Sequence, residues 1–387
     1  MSTLQSVTIY PLQIPFVEAF NHHSAERQHG DSVVVKVVDD AGVEGFGEGV
    51  PRPYVTGETS EFMIDHLCRN LVPGLWDREL PVLRERADLA HVHDLIDHHE
   101  PAGVRSDNAC RSALELAILD CCLRRQGIAA ADLFDVRGRT LLYSGIISAG
   151  SLDTALAHAR QMKLVGLRQI KIKVGFPDDV ARVRAIRELF GPAASIRLDA
   201  NGAWTLPEAA EILGALASYD LSAVEEPLAS RATADLIRLR QAVPIPIVVD
   251  ESLVTAADAD DLIEQRAIDV FNVRVSKCGG LWRSLDIADR ALRAGIGVQV
   301  GAQVGETAIL SAAGRLLAAA LPETLFVEGS YGTLLLVEDV STDEVRFGRR
   351  GEARVLGGPG LGLCVREDRL RKHSDAVVEL RSSVGAR

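Results

Sequence analysis

From about residue 141 the chain repeats one pattern, a short β-branched run followed by an amphipathic helix, and few folds can absorb it. The runs fall near 142–148, 168–175, 195–200, 222–226, 246–251, 269–275, 296–301 and 324–329, and helical periodicity follows each of the first seven. Capping signals at Ser151-Leu-Asp, Thr205-Leu-Pro-Glu and Thr255-Ala-Ala-Asp mark helix starts. Strands that alternate strictly with crossover helices make parallel sheets, and eight of them in roughly two hundred residues close on themselves. The fold class expected is α/β: a modified (β/α)8 TIM-type barrel over 136–364.

The chain has 387 residues, enough for a second domain beside the barrel. Residues 6–14 and 31–37 are β-branched, and Asp39-Asp-Ala-Gly42 reads as the turn of a hairpin. Two segments read as loops: Ala19 to Gly30, polar with three histidines, and Gly45 to Gly57, dense in Gly and Pro. Helical periodicity then runs to a long apolar pattern from Asn108 to Arg125, which Gly127 stops. Strands followed by helices give an α+β domain over 1–135, completed by the C-terminal segment of about 365–387.

With 47% hydrophobic and 25% charged residues the composition is that of an ordinary globular protein, and a net charge of −12 argues against nucleic-acid or anionic-membrane partners. The first residues lack a signal peptide's basic region and apolar core, and no apolar run reaches membrane-spanning length, so a cytoplasmic protein is expected. Cys68, Cys110, Cys121, Cys122, Cys278 and Cys364 have no C-x-x-C or framework spacing and read as reduced, mostly buried thiols.

Charge is concentrated in one of the runs. Arg168-Gln-Ile-Lys-Ile-Lys-Val-Gly175 places Lys171 and Lys173 two residues apart, hence on one strand face. If Ile170, Ile172 and Val174 pack outward against helices, both ammonium groups point inward. Each disfavours the other's charge, which suits one of them to act as a base near neutral pH. On this run alone, a half-exposed strand with solvated lysines fits as well.

The strands that follow extend the pattern. Lys173, Asp199, Glu225, Asp250 and Arg274 end successive runs at intervals of 26, 26, 25 and 24 residues. That interval is one βα unit, so the five side chains meet at the C-terminal mouth of the barrel, where such folds carry their chemistry. Three carboxylates converging there would repel one another without a hard divalent cation between them, and a site with few ligands and room for water suits Mg²⁺, with Mn²⁺ as a substitute. Asn201 follows Asp199 closely, and Glu226 and Glu251 adjoin the other two carboxylates, where they can orient the ligands.

Lys-x-Lys, Asp-x-Asn, Glu-Glu-Pro and Asp-Glu-Ser on successive strands resemble the enolase superfamily, specifically its muconate-lactonizing, muconate cycloisomerase-like subgroup. The resemblance spans nearly the whole chain, with 1–135 in the place of that family's capping domain. It implies Mg²⁺ on Asp199, Glu225 and Asp250, bound to a substrate carboxylate, while a base removes the α-proton to give an enediolate. Lys173 is the base expected, with Lys171 its neighbour. The resemblance also implies a small-molecule carboxylate as partner, often in a homo-oligomer.

The chain departs from the pattern on the sixth strand, where Arg274 stands in place of the subgroup's second lysine. A guanidinium almost never gives up its proton, although it can hold a carboxylate. One acid/base on one face favours a lyase or cycloisomerase, running elimination, dehydration or cycloisomerisation. The alternatives are a racemase or epimerase of amino-acid derivatives or dipeptides, and an inactive metal-binding barrel serving as a scaffold. Lys277, three residues beyond Arg274, and Glu328, at the eighth strand, are candidate substrate contacts. Glu306 is either a contact or a helix N-terminal carboxylate. In the early loops His22, His23, Arg27, His29, Arg52 and Tyr54 are candidates for the part of the substrate remote from the metal. His91, His93, His98 and His99, with Asp94 and Asp97, fit no ligand motif and read as a solvated helix face. Cys121 and Cys122 read as core.

Overall fold

The computed structural model describes residues 2–22, 25–96, 101–148 and 150–382, with the backbone alone for 19–22 and 25–26. Its N-terminal part is built on a four-stranded antiparallel sheet in the order Val378–Arg381, Leu4–Pro11, Val33–Asp39, Glu44–Gly49. The hairpin turn lies where the sequence indicates: Gly42 has φ 79°, and Asp39 Oδ1 accepts the Ala41 and Val43 amides at 2.9 and 2.8 Å.

Two segments read as loops are strands. Glu44–Gly49 pairs along Val33–Asp39 because its glycines recur at every second residue, leaving one face bare for the helix Asn108–Gln126. A Cβ on Gly47 would lie 2.0 Å from the Ala113 carbonyl oxygen, so only glycine admits the helix this close. Ile14–His22 and Ala25–Gly30 form an antiparallel hairpin, tied to the chain after the barrel by Val17 N to Leu335 O and Val337 N to Pro15 O. The long helix ends at Gly127, φ 67°, in the left-handed conformation expected of a glycine stop.

The barrel has eight parallel strands: Gly145–Ile147, Gln169–Lys173, Ser195–Asp199, Ala223–Glu225, Ile247–Val249, Val270–Val273, Gly297–Val300 and Phe326–Val327. Each is hydrogen-bonded to the next, and the Ser144 amide donates to the Val327 carbonyl at 2.8 Å across the closing seam. Helices follow the first seven strands. Ser151 caps the first, and Thr205 with Glu208 and Thr255 with Asp258 form reciprocal capping boxes. Among the described residues a 3-10 turn, Gly332–Leu334, stands where an eighth helix would begin, and the chain returns through Glu367–Lys372 to the N-terminal sheet.

Outward side chains such as Ile170, Ile172, Ile196 and Leu198 are wholly buried under the helices, leaving the alternate positions to the interior. There a small apolar plug of Ala223, Val248, Val270 and Phe326 fills the lower barrel. A charged layer lies above it. The N-terminal domain is bolted to the barrel's mouth: Asn108 Nδ2 donates to the Val254 and Lys277 carbonyls at 2.9 and 2.6 Å, and the Val50 amide to Ser276 Oγ at 2.8 Å. No helix among the described residues is long and apolar enough to cross a membrane.

Candidate active site

Strand register sets the height of the charged layer. Lys171 stands abreast of Arg197, Lys173 abreast of Asp199, and Asp199 abreast of Glu225. Asp250 lies just past the end of the fifth strand. Asp199, Glu225 and Asp250 have no exposed surface, and Lys171 and Lys173 are 1% and 7% exposed. These lysines are therefore not solvated.

Lys173 Nζ lies 2.6 Å from both Asp199 Oδ2 and Asn201 Oδ1. Lys171 Nζ lies 2.9 Å from Asp199, 3.2 Å from Glu225 and 2.9 Å from Glu328. Burial works against the Lys171 charge, but these carboxylates outweigh it and raise its pKa. Burial works against the Asp199 carboxylate too, and there Lys171 and Lys173 win, holding it well below the usual range. Glu225 is pushed up to about 7 by burial, with Lys171 pulling down and Asp199, Glu328 and Asp250 pushing up.

On the other side of the mouth, Arg274 Nη2 binds Asp250 Oδ2 and lies 3.6 Å from Glu225. Lys277 reaches into the same wall from a short helix, Val275–Cys278, and donates to Asp250 Oδ1 at 2.9 Å and to the Asp250 and Asn272 carbonyls at 2.6 and 2.8 Å. Three acceptors match its three protons, so Lys277 braces Asp250 rather than facing substrate.

Glu226, at φ 39°, turns to accept the Asp250 amide at 2.7 Å and the Ser252 hydroxyl, fixing the end of the fifth strand. Glu251 takes Asn201 Nδ2 at 3.2 Å and is raised to about 8 by burial and by Asp250 and Glu226. Glu306 accepts the Gln303 amide at 3.0 Å and Ser311 Oγ at 3.2 Å, within its own loop and the following helix's first turn. Its position is that of a helix N-terminal carboxylate.

Three inward residues escaped the sequence reading: Arg197, Asn272 and Gln299. Arg197, wholly buried, lies over the Phe326 ring at 4.4 Å and binds Glu328, whose other oxygen holds Lys171. Glu328 is held down at about 2, as Lys171 and Arg197 outweigh burial. Asn272 Nδ2 and Gln299 Nε2 clamp the two oxygens of Glu225 at 3.0 and 2.8 Å. Strand alternation could have found Arg197, two residues before Asp199.

The early loops supply less than expected. Arg52 is buried and engaged by Asp31 at 2.8 Å and by the Pro51 and Val304 carbonyls at 2.7 and 2.6 Å, which pins the hairpin region to the seventh strand's loop. Arg27 also pairs with Asp31, at 3.0 Å, and His29 is exposed. His22 is described by its backbone alone, and His23 lies outside the described residues. Tyr54, 46% exposed, lines a cavity of about 310 Å³ with Asn201, Glu226, Glu251 and Arg231, which opens at the ends of the third to fifth strands. A more apolar cavity of about 620 Å³, lined by Gly145, Met162, Tyr331 and Phe347, touches none of the lysines or metal-ligand candidates.

His93 departs from the solvated-face reading. It is 9% exposed, 3.7 Å from Glu115 and against Trp282, because the short helix Leu89–His93 turns that side toward the domain interface. His91 is exposed, while Asp97, His98 and His99 lie outside the described residues. Cys121 and Cys122 are core.

With the side chains as they stand, no three acidic, histidine or cysteine groups among the described residues converge as a ready chelate, because each carboxylate is turned to a cation of the chain. The donor set nevertheless fits a hard divalent ion. It offers oxygen ligands only, three carboxylates on adjacent strands, and beside them a buried Glu251 oxygen with no hydrogen-bond partner.

Known proteins show the same architecture. Residues 154–369 match the family model described as enolase C-terminal domain-like. The N-succinyl-L-Arg/Lys racemase of Bacillus cereus is 28% identical over 370 residues, covering 94% of each chain. The structure of muconate lactonizing enzyme from Pseudomonas fluorescens, complexed with muconolactone, superposes with a TM-score of 0.85 at 26% identity, covering 96% of this chain and 99% of that one. The structure of dipeptide epimerase from Cytophaga hutchinsonii, complexed with Mg and the dipeptide D-Ala-L-Val, superposes with a TM-score of 0.84 at 27% identity, covering 98% and 100%.

Proposed function

This chain belongs to the enolase C-terminal domain-like family, and we propose that its barrel mouth removes the proton α to the carboxylate of a small organic acid, with Mg²⁺ as cofactor. The observation that carries the reading is the contact of two buried lysines with buried carboxylates on adjacent strands, Lys173 on Asp199 at 2.6 Å and Lys171 on Asp199 and Glu225. Such an α-proton is very weakly acidic, and its removal depends on stabilising the charge that develops on the carboxylate oxygens. A cation held by Asp199, Glu225 and Asp250 would supply that stabilisation as a Lewis acid.

The rest is done by side chains of this chain. Lys173 takes the proton, its reach set by Asp199 and Asn201. Lys171 stays charged beside the reacting carboxylate, held from behind by Glu328 and, through it, by Arg197. Asn272 and Gln299 orient Glu225, and Lys277 and Glu226 orient Asp250. Tyr54, at the mouth of the cavity beside Asn201 and Glu251, contacts the part of the substrate remote from its carboxylate.

Among reactions that begin this way, racemisation or epimerisation of an N-acylated amino acid or dipeptide has the broader support, from the Bacillus cereus racemase and the Cytophaga hutchinsonii epimerase. One observation favours a second reading, elimination or cycloisomerisation on one face: Arg274, which resists deprotonation, stands across the mouth from Lys173. Incubating N-succinylamino acids, dipeptides and muconate-like diacids with enzyme and Mg²⁺ in D₂O separates the two. Epimerisation gives α-deuterated product of inverted configuration, and the one-face reaction gives unsaturated or cyclised product with no inversion. Inversion at a rate matching turnover would exclude the one-face reading.

A further inference from the structure

Asp250 is the only one of the three ligand carboxylates with both oxygens paired to cationic side chains of the mouth's far wall, and the two pairings differ in kind. Lys277 holds Oδ1 at 2.9 Å but is also tied to two backbone carbonyls, at 2.6 and 2.8 Å, and its side chain is 1% exposed. It cannot leave without stranding a buried ammonium. Arg274 holds Oδ2 and has Glu225 3.6 Å away, so both carboxylates it pairs with are ligand candidates themselves. Its Nε is buried with no hydrogen-bond partner, and its side chain is 16% exposed, the most open of the cations around these carboxylates. One arm of the pair is fixed, and the other can swing into the mouth.

A divalent ion shared by Asp199, Glu225 and Asp250 needs a free oxygen on Asp250, and Oδ2 is the one that can be freed. We propose that Arg274 is an internal counter-ion that competes with the divalent cation for Asp250, and that cation binding releases its guanidinium into the mouth. This inference rests on the assignment of these three carboxylates as the metal ligands. It gives the arginine a purpose that its failure as a base leaves open. Without metal, Arg274 neutralises a buried carboxylate that would otherwise oppose its neighbours. With metal, the same fork-shaped cation is available to an anionic substrate group, which it can bind through two parallel hydrogen bonds. Cation and anion would then bind in that order, each favouring the other.

Two measurements on the whole protein test this. The first is Mn²⁺ affinity, by electron paramagnetic resonance without substrate, in wild type, Arg274→Lys and Arg274→Gln. Lysine keeps the charge but lacks the forked reach, so direct competition predicts that both variants bind Mn²⁺ about tenfold more tightly, a coupling of ordinary size. Tighter binding by the glutamine variant alone would mean that only charge repulsion acts, and would overturn the proposal. Unchanged affinity in both variants would overturn it as well. Absence of Mn²⁺ binding in all three proteins would remove the metal assignment itself and the inference with it. The second is modification of wild-type Arg274 by phenylglyoxal, mapped by mass spectrometry. Mg²⁺ should accelerate it severalfold, and protection or no change would contradict the release.

Discussion

Two sets of buried carboxylates can be compared within this molecule. In the N-terminal domain and its seam with the barrel, Glu48 accepts the Thr307 and Leu310 amides and Glu58 the Ala109 and Cys110 amides, at 2.8–3.0 Å. At the barrel mouth Asp199, Glu225 and Asp250 face Lys171, Lys173, Arg274 and Lys277. Burial is nearly complete in both sets. Raised pKa values occur in both as well: Glu48 and Glu58 reach about 7, as Glu225 does. Burial and a displaced pKa therefore do not by themselves mark a site. The partner does. A backbone amide is fixed by its helix and ties the carboxylate into the fold, whereas a cationic side chain can yield its place to a ligand or hand over a proton.

The comparison is broken or sharpened by substitution, with the largest effects at the mouth. Asp250→Asn should abolish both turnover and the gain in thermal stability that Mg²⁺ gives, because the cation loses a ligand. Lys173→Ala should cost about 10³-fold in kcat while keeping the Mg²⁺-dependent stabilisation, since it removes the proton acceptor and leaves the carboxylates in place. Loss of metal binding in Lys173→Ala would mean that the lysine, too, is structural.

Effects in the N-terminal set should appear in stability alone. Glu58→Ala leaves the buried Ala109 and Cys110 amides unpaired and should cost about 2–3 kcal/mol in urea unfolding, with Mn²⁺ affinity unchanged. A changed affinity would erase the distinction between the two sets. The smallest effect is one of pH. Burial raises the Glu48 carboxyl from 4.5 to about 7, against the hydrogen bonds from Thr307 and Leu310. A raised folded pKa means that the neutral form contributes stability, fully below the unfolded value and progressively lost as pH rises through about 7. Wild type should therefore lose up to about 3 kcal/mol between pH 5 and 8 that Glu48→Gln does not lose, giving the variant a flatter profile. Equal slopes would mean that Glu48 is ionised throughout.

Much of this site could be read from the chain because the barrel converts sequence spacing into height. Lys173, Asp199 and Glu225 are register neighbours, and intervals of one βα unit anticipate that. The same alternation would have turned Arg197 inward had it been carried one strand further, since Arg197 is abreast of Lys171. What the chain does not announce are contacts between distant segments. Nothing local shows that Arg52 bonds Val304, that Glu48 caps the helix opening at Ala308, or that Lys277 turns back onto Asp250. The glycines at 45, 47 and 49 look like a loop until the helix Asn108–Gln126 is laid against them. Long-range packing decides such positions, and local propensity points elsewhere.

The most direct measurement follows α-proton exchange by NMR, using N-succinylamino acids, dipeptides and muconate-like diacids in D₂O. Wild type with Mg²⁺ should incorporate deuterium at the α-carbon of at least one of these acids, and the incorporation should vanish on removing Mg²⁺ and slow about 10³-fold in Lys173→Ala. Exchange that persists near the wild-type rate in Lys173→Ala, or Mg²⁺ binding with no exchange on any of these acids, would contradict the assignment of the lysine strand as the seat of the proton chemistry.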